Sequence, residues 1–267
     1  MAADREGPFR VFKAIARRIL PRSLYLALAY RYSRYSRLRR KIVRVQGRKV
    51  ATGPFAGMVY LEHVGRSVTT KLLGSYEAEL HPAVRDLVAR GFALVLNVGC
   101  AEGYYAVGLA RAMPQATVYA FDTNPRAQDL CRELAEVNGV ADRITIEGTC
   151  DRDRLNQFDL RGALLVVDVE GYELELLQPD AVPGLEQAAI LVELHDHAHE
   201  GLTETVVGRF EPTHDVRVIQ QAARDPNDYP TLAGFREADQ ALALEEFRTE
   251  YDADSPQRWA VMWPKKG

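Results

Sequence analysis

Acidic and imidazole side chains gather where two apolar, strand-like runs end. The run Val167-Asp168-Val169-Glu170-Gly171-Tyr172-Glu173 sets Asp168 and Glu170 two residues apart. Further on, His195-Asp196-His197-Ala198-His199 holds three of the chain's six histidines. Two carboxylates in one pocket repel, which raises the proton affinity of one of them, so such a pair supplies a general base or part of a metal site. Taken alone, a bare Asp-x-Glu reads more readily as the start of a helix capped by Asp168. The histidine run lacks the spacing that puts two ligands on one helical face. It reads as a solvated rim whose reactive member is His195, nearest the strand.

A second group lies upstream. Asn97-Val98-Gly99-Cys100-Ala101-Glu102-Gly103 ends one apolar run, and a helical pattern opens at Tyr104. Glycines at a strand-to-helix turn let a ligand approach the backbone at the helix N-terminus. The spacing is GxxxG and not the GxGxxG that grips a pyrophosphate. It therefore suits a nucleoside ligand without phosphates, such as S-adenosylmethionine, and makes a nicotinamide enzyme the weakest reading. Asp122, 23 residues after Gly99, ends the next run. An acid there accepts hydrogen bonds from ribose hydroxyls, or it begins the helix opened by Thr123-Asn124-Pro125. The third run leads into Gly148-Thr149-Cys150-Asp151, where an adenine edge would be read.

These residues need a scaffold that brings strand ends together. Apolar runs over 92–98, 116–121, 143–147, 163–168 and 188–194 alternate with helical stretches near 103–113, 124–138, 151–158 and 172–178. Repeated strand–helix units predict a parallel sheet covered on both faces, with ligands beyond the carboxyl ends of its strands. Two more strands are expected at 214–220 and 257–263, with a loop and a helix at 236–248 between them. Before the core, Gly47, Gly53-Pro54 and Gly57 predict a small hairpin, and a helix over 76–90 stops at Gly91.

The chain of 267 residues is 47% hydrophobic and 27% charged, ordinary for a globular protein and long enough for a full core. Its three cysteines, Cys100, Cys131 and Cys150, contain no CxxC pair, which argues against structural zinc and fits a reducing compartment. No uncharged apolar run reaches the roughly 20 residues that span a bilayer, so a cytoplasmic protein is expected. The net charge of −3 conceals an asymmetry: residues 1–50 hold 15 Lys/Arg against Asp4 and Glu6, leaving 19 basic and 35 acidic side chains for the other 217. Phe9, Phe12, Ile15 and Ile19 recur at helical spacing, and a second helix over about 22–44, after Pro21, mixes tyrosine with arginine. Such an arm seeks phosphates or anionic lipid, or docks on its own acidic body. The expectation is peripheral contact with the inner membrane surface through residues 9–49, not nucleic acid.

Val166–Leu177 (VVDVEGYELELL) resembles the central motif of the FkbM-type methyltransferases. The resemblance takes in Asn97–Gly103, Ala120–Pro125, Asn138-Gly139 and Val192-Glu193-Leu194-His195, and covers roughly residues 74–220. It implies a Rossmann-like, seven-stranded class I methyltransferase fold that ends in an antiparallel hairpin. It further implies transfer of a methyl group from S-adenosylmethionine to a hydroxyl of a sugar, glycoconjugate or natural product. Asn97, Gly99 and Gly103 match the methionine-side loop, Asp122 the ribose acid (many relatives carry Glu there), and Gly74-Ser75-Tyr76-Glu77 a Tyr-Glu element that closes the pocket. With neighbours Cys100, Thr123, Cys150 and Asp168, these form the expected cofactor set. Asp168, Glu170 and His195 are the catalytic candidates. By analogy with metal-dependent sugar methyltransferases, Asp168 with Glu193, His195 or Asp196 would hold Mg²⁺, leaving Glu170 as base. Three segments are expected: a basic helical arm (1–46), a hairpin and helix (47–91) and the S-adenosylmethionine-binding domain (92–267). The arm and the 223–250 insertion match nothing general in that family. RNA methylation using the arm, or S-adenosylmethionine binding without catalysis, are the competing readings.

Overall fold

A computed structural model describes residues 33–63, 67–246 and 257–265. The first predicted helix, and the second as far as residue 32, lie outside the described residues.

Seven strands form one sheet: β1 (Leu94–Val98), β2 (Thr117–Phe121), β3 (Ile144–Glu147), β4 (Leu164–Val167), β5 (Ala189–Leu194), β6 (His214–Gln220) and β7 (Arg258–Pro264). Their spatial order is 3-2-1-4-5-7-6, with β7 antiparallel to both neighbours. Strand order reverses between β1 and β4, where the two ends part and open a crevice. This is the Rossmann-like sheet of the class I S-adenosylmethionine-dependent methyltransferases. β1, β4 and β5 are short runs of Leu, Val and Ile because both faces are covered: every residue of β4 and β5 is buried.

Nine helices among the described residues frame the sheet: α1 (Arg34–Gln46), α2 (Val68–Leu73), α3 (His81–Arg90), α4 (Tyr104–Ala112), α5 (Pro125–Val137), α6 (Arg152–Leu155), α7 (Glu173–Leu176), α8 (Leu202–Phe210) and α9 (Glu237–Ala243). One face of the sheet packs Val95, Val118, Leu164 and Leu191 against Leu87, Val107 and Leu109. The other packs Leu96, Leu165 and Val192 against Leu155, Leu176, Val206 and Phe210. Each such side chain, fully buried, contributes about 1.5–3 kcal/mol.

Four departures from the sequence reading stand out. The stretch 76–90 is not one helix, because Glu77 takes a left-handed backbone (φ +49°) and gives its N–H to the Glu246 carboxylate; a 3-10 turn follows, and α3 begins at His81 with Pro82 in its first turn. The 47–61 segment holds a single antiparallel bridge, Lys49 to Val59, with Val50 N–H donating to Met58 O at 2.8 Å. The helix expected over 236–248 ends at Ala243. Helix α8 went unread because its amphipathic pattern follows directly on the polar His195–Glu200 run.

The described end of the basic arm docks on the body. In α1, Tyr35, Leu38 and Ile42 face inward, and Leu38 and Ile42 join Leu73, Tyr229, Leu232, Phe235 and Leu244 in a satellite core. Arg34 pairs with Asp239 at 2.7 Å.

Candidate functional site

At the crevice the chain passes itself at backbone distance. A Cβ on Gly99, which sits at φ +79°, would lie 1.6 Å from the Asp168 carbonyl oxygen, so only glycine fits. The turn is tied to β2 by Gly99 and Cys100 N–H groups that both donate to Phe121 O, at 2.9 and 2.8 Å. Asp122 completes the tie. Its Oδ2 accepts from Ala101 N–H and its Oδ1 from Asn124 N–H, each at 2.8 Å. Asn124, not Asp122, caps α5, accepting from Arg126 N–H at 3.0 Å. The acid is thus free of helix duty and faces a cavity.

That cavity has a volume of about 510 Å³, in the range of small-molecule sites. Gly99, Phe121, Asp122, Thr123, Thr149, Cys150, Asp168, Glu170 and Tyr172 are among its lining residues. Of the sequence-predicted set it therefore gathers Gly99, Asp122, Thr123, Cys150, Asp168 and Glu170. Burial pushes the Cys150 thiol up to about 12, so it lines the wall as a neutral apolar group. Tyr76, Glu77, Asn97, Cys100, Gly103 and His195 are not among the lining residues. Cys100 is buried against Cys131, whose hydrogen bond and burial hold its thiol protonated, and Gly103 lies against the Cys131 sulfur. Asn97 is buried at the end of β1; its Nδ2 donates weakly to Val166 O at 3.4 Å while its Oδ1 has no donor.

Beside the cavity a second arrangement centres on His195. Pairing of Val167 with Val192 carries Asp168 and Glu193 off adjacent strands together. His195 Nδ1 lies 2.6 Å from Glu173 Oε1, and Glu173 is fully buried. A carboxylate at that distance places the ring proton on Nδ1 and turns Nε2 outward. Nε2 then meets Asp168 at 3.5 Å, Glu170 at 3.6 Å and Glu193 at 3.8 Å. Burial pulls the His195 pKa down, but the Glu173 hydrogen bond and the charges of Asp168, Glu173 and Glu170 outweigh it and hold the imidazole above its ordinary value. Asp168, Glu193 and His195 each offer a ligand atom, all within 4.8 Å of one another. Asp196 does not join them. It accepts from Thr203 N–H and Oγ1 at 2.9 and 2.5 Å and so secures the start of α8. Neither does Asp168 cap a helix; Glu173 instead reaches back to Val169 N–H at 3.3 Å.

Backbone strain concentrates here. Among the described residues four non-glycines have positive φ, and three of them, Glu77, Ala101 and Glu170, belong to segments predicted to form the site. Each costs on the order of 1–3 kcal/mol and persists because its surroundings hold it. At Glu170 (φ +52°) the strain turns an exposed carboxylate back toward His195.

Sequence reasoning missed three supporting groups. Glu173 was read only as part of a motif, since nothing local reveals a partner 22 residues away. Buried Lys71 pairs with Glu102 of the glycine turn, which Tyr60 also contacts, and the ammonium lies 4.4 Å from the Tyr76 ring. Burial works against ionising Glu102, yet Lys71 keeps its pKa below the usual value. Arg224, from the unmatched insertion, pairs with Glu79 at 2.5 Å and Glu246 at 2.8 Å and donates to Ser75 O at 2.9 Å. The insertion thereby fixes the Ser75–Glu79 segment.

No protein-family model matches the chain. A stretch of 61 residues is 43% identical to the release factor glutamine methyltransferase of Deinococcus radiodurans; it spans 23% of this chain and 22% of that protein's length. Among solved structures the chain is similar to an O-methyltransferase from Streptomyces achromogenes involved in tomaymycin synthesis, in complex with S-adenosylmethionine (11% identity, 99% and 100% of the two chains, TM-score 0.47). It is also similar to an O-methyltransferase from Bacillus cereus in complex with S-adenosylhomocysteine (12% identity, 95% and 97%, TM-score 0.44). Strand order and the single reversed strand, not these scores, define the fold.

Proposed function

We propose that this protein is an S-adenosylmethionine-dependent O-methyltransferase of the FkbM type, acting on a hydroxyl of a sugar, glycoconjugate or natural product. The observation that carries the reading is one cavity between β1 and β4 with Asp122 at one side and Asp168 and Glu170 at the other, the latter two lying 3.5 and 3.6 Å from the buried His195 behind them. The donor fits the residues present. Asp122 lines the cavity and keeps lone pairs for a ribose diol. When bound, S-adenosylmethionine supplies a sulfonium methyl open to in-line attack.

An acceptor hydroxyl is a poor nucleophile until its proton has somewhere to go. Glu170 is the general base in this reading: its carboxylate is exposed at the cavity and held at 3.6 Å from His195, ready to take the proton as the new O–C bond forms. His195 retains its own proton under the pull of its carboxylates and orients Asp168 and Glu170. Should Mg²⁺ take part, Asp168, Glu193 and His195 would hold it, displacing the Nε2 proton.

Calorimetric titration with S-adenosylhomocysteine tests the donor site. Micromolar binding lost in Asp122→Ala is expected, followed by turnover of hydroxylated glycans screened with and without Mg²⁺. A folded protein that does not bind S-adenosylhomocysteine overturns the reading.

A further inference from the structure

We propose that Glu173 is a positioning residue for the methyl transfer, a buried carboxylate that clamps the His195 imidazole to the Asp168-Val169-Glu170 turn. Its side chain is fully buried, and a charge taken that far out of water is retained only where it is bonded. Helix capping does not account for it: α7 has four residues, begins after Tyr172 and takes no side-chain cap. One oxygen, Oε1, accepts twice, from His195 Nδ1 at 2.6 Å and from Val169 N–H at 3.3 Å. The other, Oε2, has no donor among the described residues. The hydrogen bonding of this carboxylate therefore goes into joining the end of β5 to the turn after β4.

Each contact fixes one part of the site. The ring held at Nδ1 has a single orientation, with Nε2 directed at Asp168 (3.5 Å) and Glu170 (3.6 Å). The bond to Val169 holds the residue between those two carboxylates, next to the left-handed backbone of Glu170 at φ +52°. A non-glycine residue keeps that conformation only while its surroundings impose it. The Glu170 side chain is largely exposed, so its place comes from the backbone beneath it and from the ring at its tip, and both are held by Glu173. A reacting group misplaced by about 1 Å costs on the order of 100-fold in rate. The clamp therefore acts on turnover, whereas donor affinity belongs to the Asp122 side. The inference rests on the reading of Glu170 as the base, and its test separates the two.

Glu173→Ala and Glu173→Gln test it in the full chain. Three readouts are taken: methyl transfer to the hydroxylated glycan that the parent turns over fastest, S-adenosylhomocysteine calorimetry, and proton NMR. Alanine offers no acceptor and is expected to lower turnover about 100-fold. Glutamine keeps an oxygen for both donors and is expected to stay within about tenfold of the parent. Donor affinity is unchanged in both, which a merely structural carboxylate would not ensure. In the parent the Nδ1 proton gives a far-downfield imidazole resonance, identified by its loss in His195→Gln, and Glu173→Ala abolishes it. If Glu173→Ala does not fold, Glu173→Asp, which withdraws the carboxylate by one methylene, takes its place with the same expectations. A folded variant lacking the contact that turns over like the parent, glutamine as slow as alanine, or a resonance that survives Glu173→Ala overturns the inference. With no glycan turned over, the resonance alone decides. A parent that shows the resonance yet binds no S-adenosylhomocysteine overturns the methyltransferase reading and not the clamp.

Discussion

The two sides of the crevice are built from opposite materials. On the β1–β2 side stand backbone amides, glycine and one acid, Asp122, whose oxygens already take two N–H donors. On the β4–β5 side, four carboxylates surround one buried imidazole, and the protein carries the desolvation of those charges. Backbone amides cannot change protonation state, so on the proposed reading the first side recognises. Clustered carboxylates and a histidine can, so on that reading protons move on the second. The difference teaches where affinity and turnover separate, and variants can break or sharpen it.

The largest effect falls on turnover. Glu170→Gln keeps size and removes the proposed base; turnover is expected to fall by about 10²–10⁴-fold with S-adenosylhomocysteine affinity unchanged. Parallel kinetics and calorimetry check it, and a matching loss of affinity would erase the division. Gly99→Ala strikes where the two sides touch. Its methyl would meet the Asp168 carbonyl at φ +79°, so unfolding in urea should show destabilisation on the order of 3 kcal/mol or more.

Asp122→Asn sharpens the recognition side. The amide oxygen preserves one backbone contact, while the charged acceptor proposed for the ribose is lost. A hydrogen bond to a charged group is worth about 1.5–3 kcal/mol, so S-adenosylhomocysteine should bind roughly 10–100-fold more weakly with little change in turnover at saturating donor. An equal loss in His195→Ala, measured in the same calorimeter, would show that the two sides are not separable.

The recognition side was also the more legible in sequence. Gly99, Gly103 and Asp122 declare themselves through spacing and through their place at strand ends, because the chain constraint that selects them is local. β1 to β5 were legible for a similar reason: buried parallel strands are continuous apolar runs. The proton-moving side was legible only in outline. Asp168, Glu170 and His195 stood out as polar residues after strands, yet Glu173, which orders them, lies on a four-residue helix with no periodicity of its own. The Arg224–Glu79–Glu246 network joins residues more than 140 positions apart, so nothing in local pattern announces it. Tyr76-Glu77 suggested a helix, and tertiary bonds from Glu246 and Tyr105 overrode it.

Two histidines carry the same contrast into pH dependence. Burial lowers His81 from 6.5 to about 4, and its ring lies 3.3 Å from Tyr76 O with Arg85 and Arg224 nearby. The unfolded chain therefore binds the extra proton between those values, and stability falls as pH drops from about 6.5 toward 4. His195 runs the other way, because its folded pKa is raised. Its contribution is complete below 6.5 and is lost as pH rises through the folded value. The two windows do not overlap, so thermal midpoints across pH separate them. His81→Gln should flatten the acid flank, by on the order of 2 kcal/mol for this half-buried ring. His195→Gln should leave that flank intact and flatten the one above 6.5. If His195→Gln changed only the acid flank, the imidazole would be neutral in the folded protein, and His195 rather than Glu170 would then be the group free to take the acceptor's proton.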